Sequence, residues 1–171
     1  MADKLIIDMA KIKALDEGAI ECSYKHHPAN KGFKKLFEKI NFVLVCRKCE
    51  SAPCVYGCPR KALEKVDDER GNTGVLRRAS MLCTGCGTCA MACPFGTIYP
   101  DLILFTDDVC DLCRGRLSPG EKPLCVQTSE NGAVDYHDIE CGEDMVEVFD
   151  GIIAKVPQGS LWKPFLREIE R

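Results

Sequence analysis

A chain of 171 residues has room for one compact domain, or two small halves packed as one, and for only a modest core. Its net charge of −3 and a single short basic stretch exclude a nucleic-acid footprint, and no segment approaches the roughly 18 apolar residues of a membrane span. Thirteen cysteines in so short a chain mean that disulfides or metal centres organise the fold.

In chain order, KLIID near the N-terminus reads as a strand. The leading MADKLIIDMAKIKALDEG carries acidic residues and no apolar run suited to export, so a soluble cytoplasmic protein is expected, in whose reducing surroundings clustered cysteines bind metal rather than pair. Cys22 follows in ECSYKHHP, and KGFKKLFEK over residues 31–39 reads as a solvated basic surface. NFVLV then reads as a strand leading into the first dense group, Cys46, Cys49, Cys54 and Cys58, which is closed by Pro59 and RKAL. A turn at GNTG separates two short strands before the second group, Cys83, Cys86, Cys89 and Cys93, closed by Pro94 and FGTI. DLILF is a further expected strand, followed by Cys110, Cys113 and Cys125, then Ser129 and ENGAV. Beyond the solitary Cys141, DMVEVFDGIIAKV reads as strand, turn, strand, and SLWKPFLREIER as an amphipathic tail that docks on the domain or, in the competing reading, anchors a partner through the tryptophan.

The second group has the spacing C-x2-C-x2-C-x3-C-P, the bacterial ferredoxin run. Three thiolates from one tight loop cap three irons of a cube, while the fourth, expected at the entry of a short helix, serves a neighbouring cluster. Two such runs interlock. The expected ligand sets are therefore Cys46, Cys49, Cys54 with Cys93, and Cys83, Cys86, Cys89 with Cys58. Zinc is the competing metal and a disulfide scaffold the competing covalent reading; zinc sites pair C-x2-C knuckles at a distance and need no second run ending in Cys-Pro.

ENGAV matches the ends of the other two runs, which places Ser129 where a fourth cysteine would stand. Counting back from Cys22 with the same spacing reaches Ile12, Leu15 and Gly18, a run that has lost three ligands and kept its last. The interlock then leaves one complete set, Cys110, Cys113, Cys125 with Cys22, and one set in which all positions are vacant. Three 4Fe-4S clusters are expected in total. Cys141 is read as a buried small hydrophobe, or as a substitute ligand should Cys22 be misassigned. No P-loop, dinucleotide-binding or HExxH motif appears, and His26, His27 and His137 form no catalytic constellation, so no enzyme site is expected.

With ECSYKHHP, CRKCESAPCVYGCP, CTGCGTCAMACP and CDLC in this order, the sequence resembles the polyferredoxin electron-transfer subunits of anaerobic oxidoreductases over roughly residues 5–140. That family includes the four-cluster subunits of formate dehydrogenases, hydrogenases, carbon monoxide dehydrogenase and dimethyl sulfoxide reductase. The resemblance implies an α+β, ferredoxin-like fold of two interlocked bacterial dicluster modules, here with one cluster lost. One ferredoxin-like domain over 1–171 would comprise an inner module at 42–100, an outer module from 1–41 and 101–141, and a tail at 142–171. The missing cluster and compact length look like the small iron-sulfur subunit of tungsten-containing class II benzoyl-coenzyme A reductase. The implied partners are a larger catalytic subunit bearing a tungsten or molybdenum pterin and other electron carriers, and the competing role is a free soluble polyferredoxin.

Overall fold

The computed structural model describes residues 3–15, 19–24, 32–67, 73–98 and 110–157. They fall into two compact units, one drawn from residues up to Ile40 and from Cys110 onward, the other from Asn41 to Ile98. The first is here the sheet unit and the second the hairpin unit.

The sheet unit is built on strand β1 (Lys4–Asp8), which pairs parallel to β6 (Ile152–Lys155) and antiparallel to β4 (Val134–His137), while β5 (Met145–Phe149) pairs antiparallel to β6. The strand order is β4-β1-β6-β5. Leu5, Ile6 and Ile7 on β1 and Ile152, Ile153 and Ala154 on β6 are all buried. Strands covered on both faces run apolar without alternating, and these two occupy the centre of the sheet. Asp150 and Gly151 join β5 to β6 as a two-residue turn, with Gly151 at φ +70°. Helix α1 (Met9–Lys13) starts directly after β1 because the Asp8 carboxylate accepts the amides of Ala10 and Lys11, both at 3.1 Å.

Helix α2 (Phe33–Cys46) corrects two sequence expectations. NFVLV is the last part of this helix rather than a strand, because Phe33, Leu36, Ile40 and Leu44 recur at helical spacing and are buried as one face. The basic stretch is only partly solvated, since Lys35 and Lys39 keep 6% and 2% of their surface exposed. The Lys35 ammonium lies 3.9 Å from the Glu38 carboxylate, so its charge is paired rather than solvated.

The hairpin unit holds α3 (Pro53–Tyr56), the antiparallel strands β2 (Leu63–Val66) and β3 (Val75–Arg78), and α4 (Thr88–Ala92). Its core cluster is Cys54, Leu63, Cys89 and Ile98. The strands expected around the GNTG turn are present, although the turn's first residues, the DLILF segment and the C-terminal tail lie outside the described residues. Among the described residues no helix is long and apolar enough to cross a membrane.

Candidate iron–sulfur centres

The three cysteine groups share one local construction. Cys54, Cys89 and Cys125 are each the second residue of a one-turn helix, namely α3, α4 and α5 (Leu124–Gln127). The fourth position of each run, Cys58, Cys93 or Ser129, comes just after the helix. This corrects the expectation that the fourth cysteine enters a helix: the helix carries the third. It ends first, and the backbone then turns back. Cys58 Sγ accepts the amide of Ala62 at 3.3 Å, and Ser129 Oγ in the third run accepts that of Val134 at 2.9 Å.

In the hairpin unit Cys46 closes α2 and is buried with Cys54. Burial pushes the Cys46 thiol above its usual 9.0, the nearby Lys65 ammonium opposes that rise, and the charges of Cys49 and Cys93 add to it. The Cys54 thiol is also pushed up, by burial first and then by Cys46 and Cys93. Cys46, Cys49, Cys54 and Cys93 thus lie within electrostatic reach of one another. Cys58, Cys83, Cys86 and Cys89 line a single small cavity, open to solvent on one side, together with Leu63 and Thr84. Cys86 at its mouth is exposed and its thiol is lowered by the Thr88 hydroxyl 3.3 Å away. Burial alone would raise the Cys93 thiol, but hydrogen bonding by Thr97 and neighbouring amides together outweighs it and leaves the thiol below its usual value.

Lys65, which no sequence motif singled out, donates to the carbonyls of Cys46 and Gly74 and to Cys46 Sγ at 3.3 Å. It stands two residues after buried Leu63 on β2, so strand alternation puts it on the inward face. Gly74 permits the approach: at φ +64°, a Cβ there would sit 2.7 Å from the Arg47 carbonyl oxygen.

In the sheet unit, Cys22 is tied to the third group on both flanks. The Glu21 amide donates to Thr128 Oγ1 at 3.0 Å, and Ser23 Oγ lies 3.2 Å from Cys113 Sγ. Burial drives the thiols of Cys110 and Cys125 up to about 11 and about 12, with the charges of Cys113 and Cys22 contributing to both. Such thiols bind iron only by giving up their protons. Arg116 makes a two-pronged bond to Asp111 at 2.6 and 2.9 Å and stacks over the Tyr24 ring at 5.1 Å. Gly32 leaves room for Cys22, since a Cβ there would stand 3.1 Å from the Cys22 Cβ. Cys141 is exposed near Lys4, not buried as expected, because the residues between β4 and β5 run over the surface.

Among the described residues no three such side chains converge on a point where one ion would sit. A cubic cluster asks for something different, because each thiolate caps its own iron. The cavity bounded by cysteines of two runs, and buried thiols grouped within reach of one another, fit that donor geometry.

The sequence is 34% identical over 92 residues to the thiosulfate reductase electron transfer subunit PhsB of Salmonella typhi, covering 53% of this protein and 45% of that one. It is 33% identical over 95 residues to one of the chains of the anaerobic dimethyl sulfoxide reductase of Escherichia coli, covering 56% and 44%. The uncharacterized ferredoxin MJ0265 of Methanocaldococcus jannaschii is 34% identical over 96 residues, covering 56% and 49%. The matches therefore span half or less of these relatives' lengths. A family model described as a 4Fe-4S dicluster domain matches residues 37–139, well over half of the sequence, and together with the cysteine architecture above this match shows that the protein belongs to the 4Fe-4S dicluster domain family, the iron–sulfur proteins of ferredoxin type.

Proposed function

We propose that this protein is an electron-transfer subunit that carries three 4Fe-4S clusters and relays electrons between a buried catalytic site in a larger partner and an external donor or acceptor. The observation that supports it most is the cavity bounded by Cys58 from one run and Cys83, Cys86 and Cys89 from the next. That is the crossed ligand pattern an interlocked pair requires. The companion set is Cys46, Cys49, Cys54 and Cys93, and the third is Cys110, Cys113, Cys125 and Cys22.

Each centre would supply one-electron chemistry with little structural change. The residues provide its setting. Cys54 and Cys89 hold their thiols inside the Leu63 and Ile98 cluster, which excludes water, while exposed Cys86 brings one edge of the hairpin unit to the surface, where electrons enter or leave. Tyr56, Met81 and Met91 in the same unit expose 86%, 97% and 80% of their surface, an apolar display suited to a partner. The relatives named as an electron transfer subunit and as part of a reductase point the same way.

In the vacated fourth set, Ile12 is buried on α1, and Lys11 beside it donates to the Asn131 carbonyl at 3.0 Å, two residues beyond Ser129. That bond joins the segments that carry positions 12 and 129, which the interlock assigns to one lost cluster. Two interlocked modules, the outer with an emptied site, follow from this reading. A segment retained after losing its cofactor suits a subunit whose surface docks permanently. A pterin-bound tungsten or molybdenum partner of the benzoyl-coenzyme A reductase type is the specific form of the proposal.

Iron and acid-labile sulfide analysis of anaerobically prepared protein should give about 12 irons per molecule. Cys22→Ala should lower this to about 8, and Cys141→Ala should leave it unchanged. The reverse pattern would reassign the third centre. Native purification should bring down a larger metal-pterin subunit, whereas recovery only as an isolated carrier serving several enzymes would mark the protein as a free polyferredoxin.

A further inference from the structure

An ammonium has three hydrogens to donate, and the one on Lys65 has three acceptors: the Gly74 carbonyl at 2.8 Å, the Cys46 carbonyl, and Cys46 Sγ at 3.3 Å. The head group is therefore fixed against one thiol rather than waving in solvent. Neither carbonyl cancels its charge. The strand's own acid, Glu64, pairs instead with Arg77, and Asp67 accepts the Gly74 amide.

Four other thiols of the hairpin unit have neutral hydrogen-bonding neighbours. Cys49 lies 3.8 Å from Ser51 Oγ, Cys86 is 3.3 Å from Thr88 Oγ1, Cys93 is 3.7 Å from Thr97 Oγ1, and Cys58 accepts a backbone amide. Arg60 lines the cavity of Cys58, Cys83, Cys86 and Cys89 but is exposed, where solvent and salt screen it. Among the described residues, the Cys46 set thus has a half-buried ammonium bonded to one of its sulfurs. Hydrogen bonds and nearby charge at the ligating sulfurs are the protein's means of setting a cluster's potential, and a charge-assisted bond is roughly twice as strong as a neutral one.

We propose that Lys65 is a potential-setting residue: its bond to Cys46 Sγ stabilises the reduced state of the centre held by Cys46, so that the first electron entering the hairpin unit settles there rather than at the Cys58, Cys83, Cys86 and Cys89 centre. The inference rests on the ligand assignment given under the proposed function. One electron arrives from a one-electron donor, which is oxidised, and lowers the charge of one centre by one unit. No protein bond breaks and no proton moves, and Lys65 keeps its three hydrogens throughout.

The test is an anaerobic dithionite titration of the full-length protein followed by electron paramagnetic resonance, in wild type, Lys65→Met, Lys65→Arg and Cys46→Ser. Lys65→Met should keep its full iron content and lower one potential, so that the reduced fraction of that centre at fixed potential falls roughly tenfold, about 59 mV for a one-electron couple. Cys46→Ser should alter the same signal, and Lys65→Arg, which keeps the charge, should restore the wild-type value. Unchanged potentials in an iron-replete Lys65→Met protein overturn the inference, as does a shift in a signal that Cys46→Ser leaves alone. Failure of the ligand assignment shows separately, as a Cys46→Ser protein with iron content and every signal unaltered. If Lys65→Met loses iron, Lys65→Gln keeps a neutral donor in place; the same drop there supports the inference and an unchanged potential overturns it.

Discussion

The two units draw their order from different sources. In the sheet unit Leu5, Ile7, Met9, Ile152 and Ile153 are fully buried around a four-stranded sheet, an apolar core centred on aliphatic side chains. In the hairpin unit, two of the four residues in the core cluster are cysteines, Cys54 and Cys89, and the sheet among its described residues is a two-stranded ribbon. Such a ribbon is marginal by itself in water. Where ligands and core are the same residues, cofactor binding is folding free energy. Where they are separate, the fold tolerates an empty or altered site.

The largest expected effect separates these two sources directly. Stripping iron with a chelator under reducing conditions should carry the amides of Leu63–Val66 and Val75–Arg78 to near-unprotected hydrogen exchange, while those of β1 and β6 stay protected. Equal loss in both units would erase the contrast. A smaller effect runs the other way: Ile153→Ala empties space in the fully buried centre of the sheet and should cost about 2–5 kcal/mol in urea unfolding of the sheet unit. Exchange at β2 and β3 should stay unchanged in iron-replete protein.

The smallest effect concerns the sheet's edge. The Tyr136 amide, and after it Lys122 at 3.2 Å, hold the Asp135 carboxyl below its usual 3.8, so its contribution is present above that value and is lost as pH falls through the lower folded value. Asp135 is half exposed, which limits the contribution to about 0.2–1 kcal/mol. Asp135→Asn should therefore lower the melting temperature slightly at neutral pH, and the difference should vanish well below pH 3.8. A difference that persists in acid would assign the effect to lost packing.

What could be read from the sequence follows from where each signal resides. The runs from Cys46 to Cys58 and Cys83 to Cys93 were legible because ligand spacing is imposed by cluster chemistry and not by the surrounding fold. The strands at KLIID and MVEVF–IIAK were legible from short apolar, β-branched runs, the second pair helped by the Asp150-Gly151 turn. NFVLV was misread for the same reason: taken alone it is β-branched and apolar, and only its register with Phe33, Leu36 and Ile40 reveals one continuous helix. Lys65 was invisible because its partner lies 19 residues earlier and is reached only through the folded hairpin. The ties from Glu21 to Thr128 and from Ser23 to Cys113 join residues 107 and 90 positions apart, and no local pattern announces them.

The parallel pairing of β1 with β6 matches Leu5 to Ile152 and Ile7 to Ala154. During synthesis on a ribosome, the first strand leaves the exit tunnel long before the strand that completes its neighbourhood exists, because contacts this distant in sequence close late. All the cysteines of the hairpin unit emerge in between. Assembly thus has a built-in order, in which the middle of the protein is ready to take up iron and sulfide while the apolar face of Leu5 and Ile7 still waits for cover. A cell that makes this protein faster than it delivers clusters would accumulate molecules with both faults at once, an unfilled middle and an uncapped first strand, and such molecules are the expected substrates of chaperones and proteases.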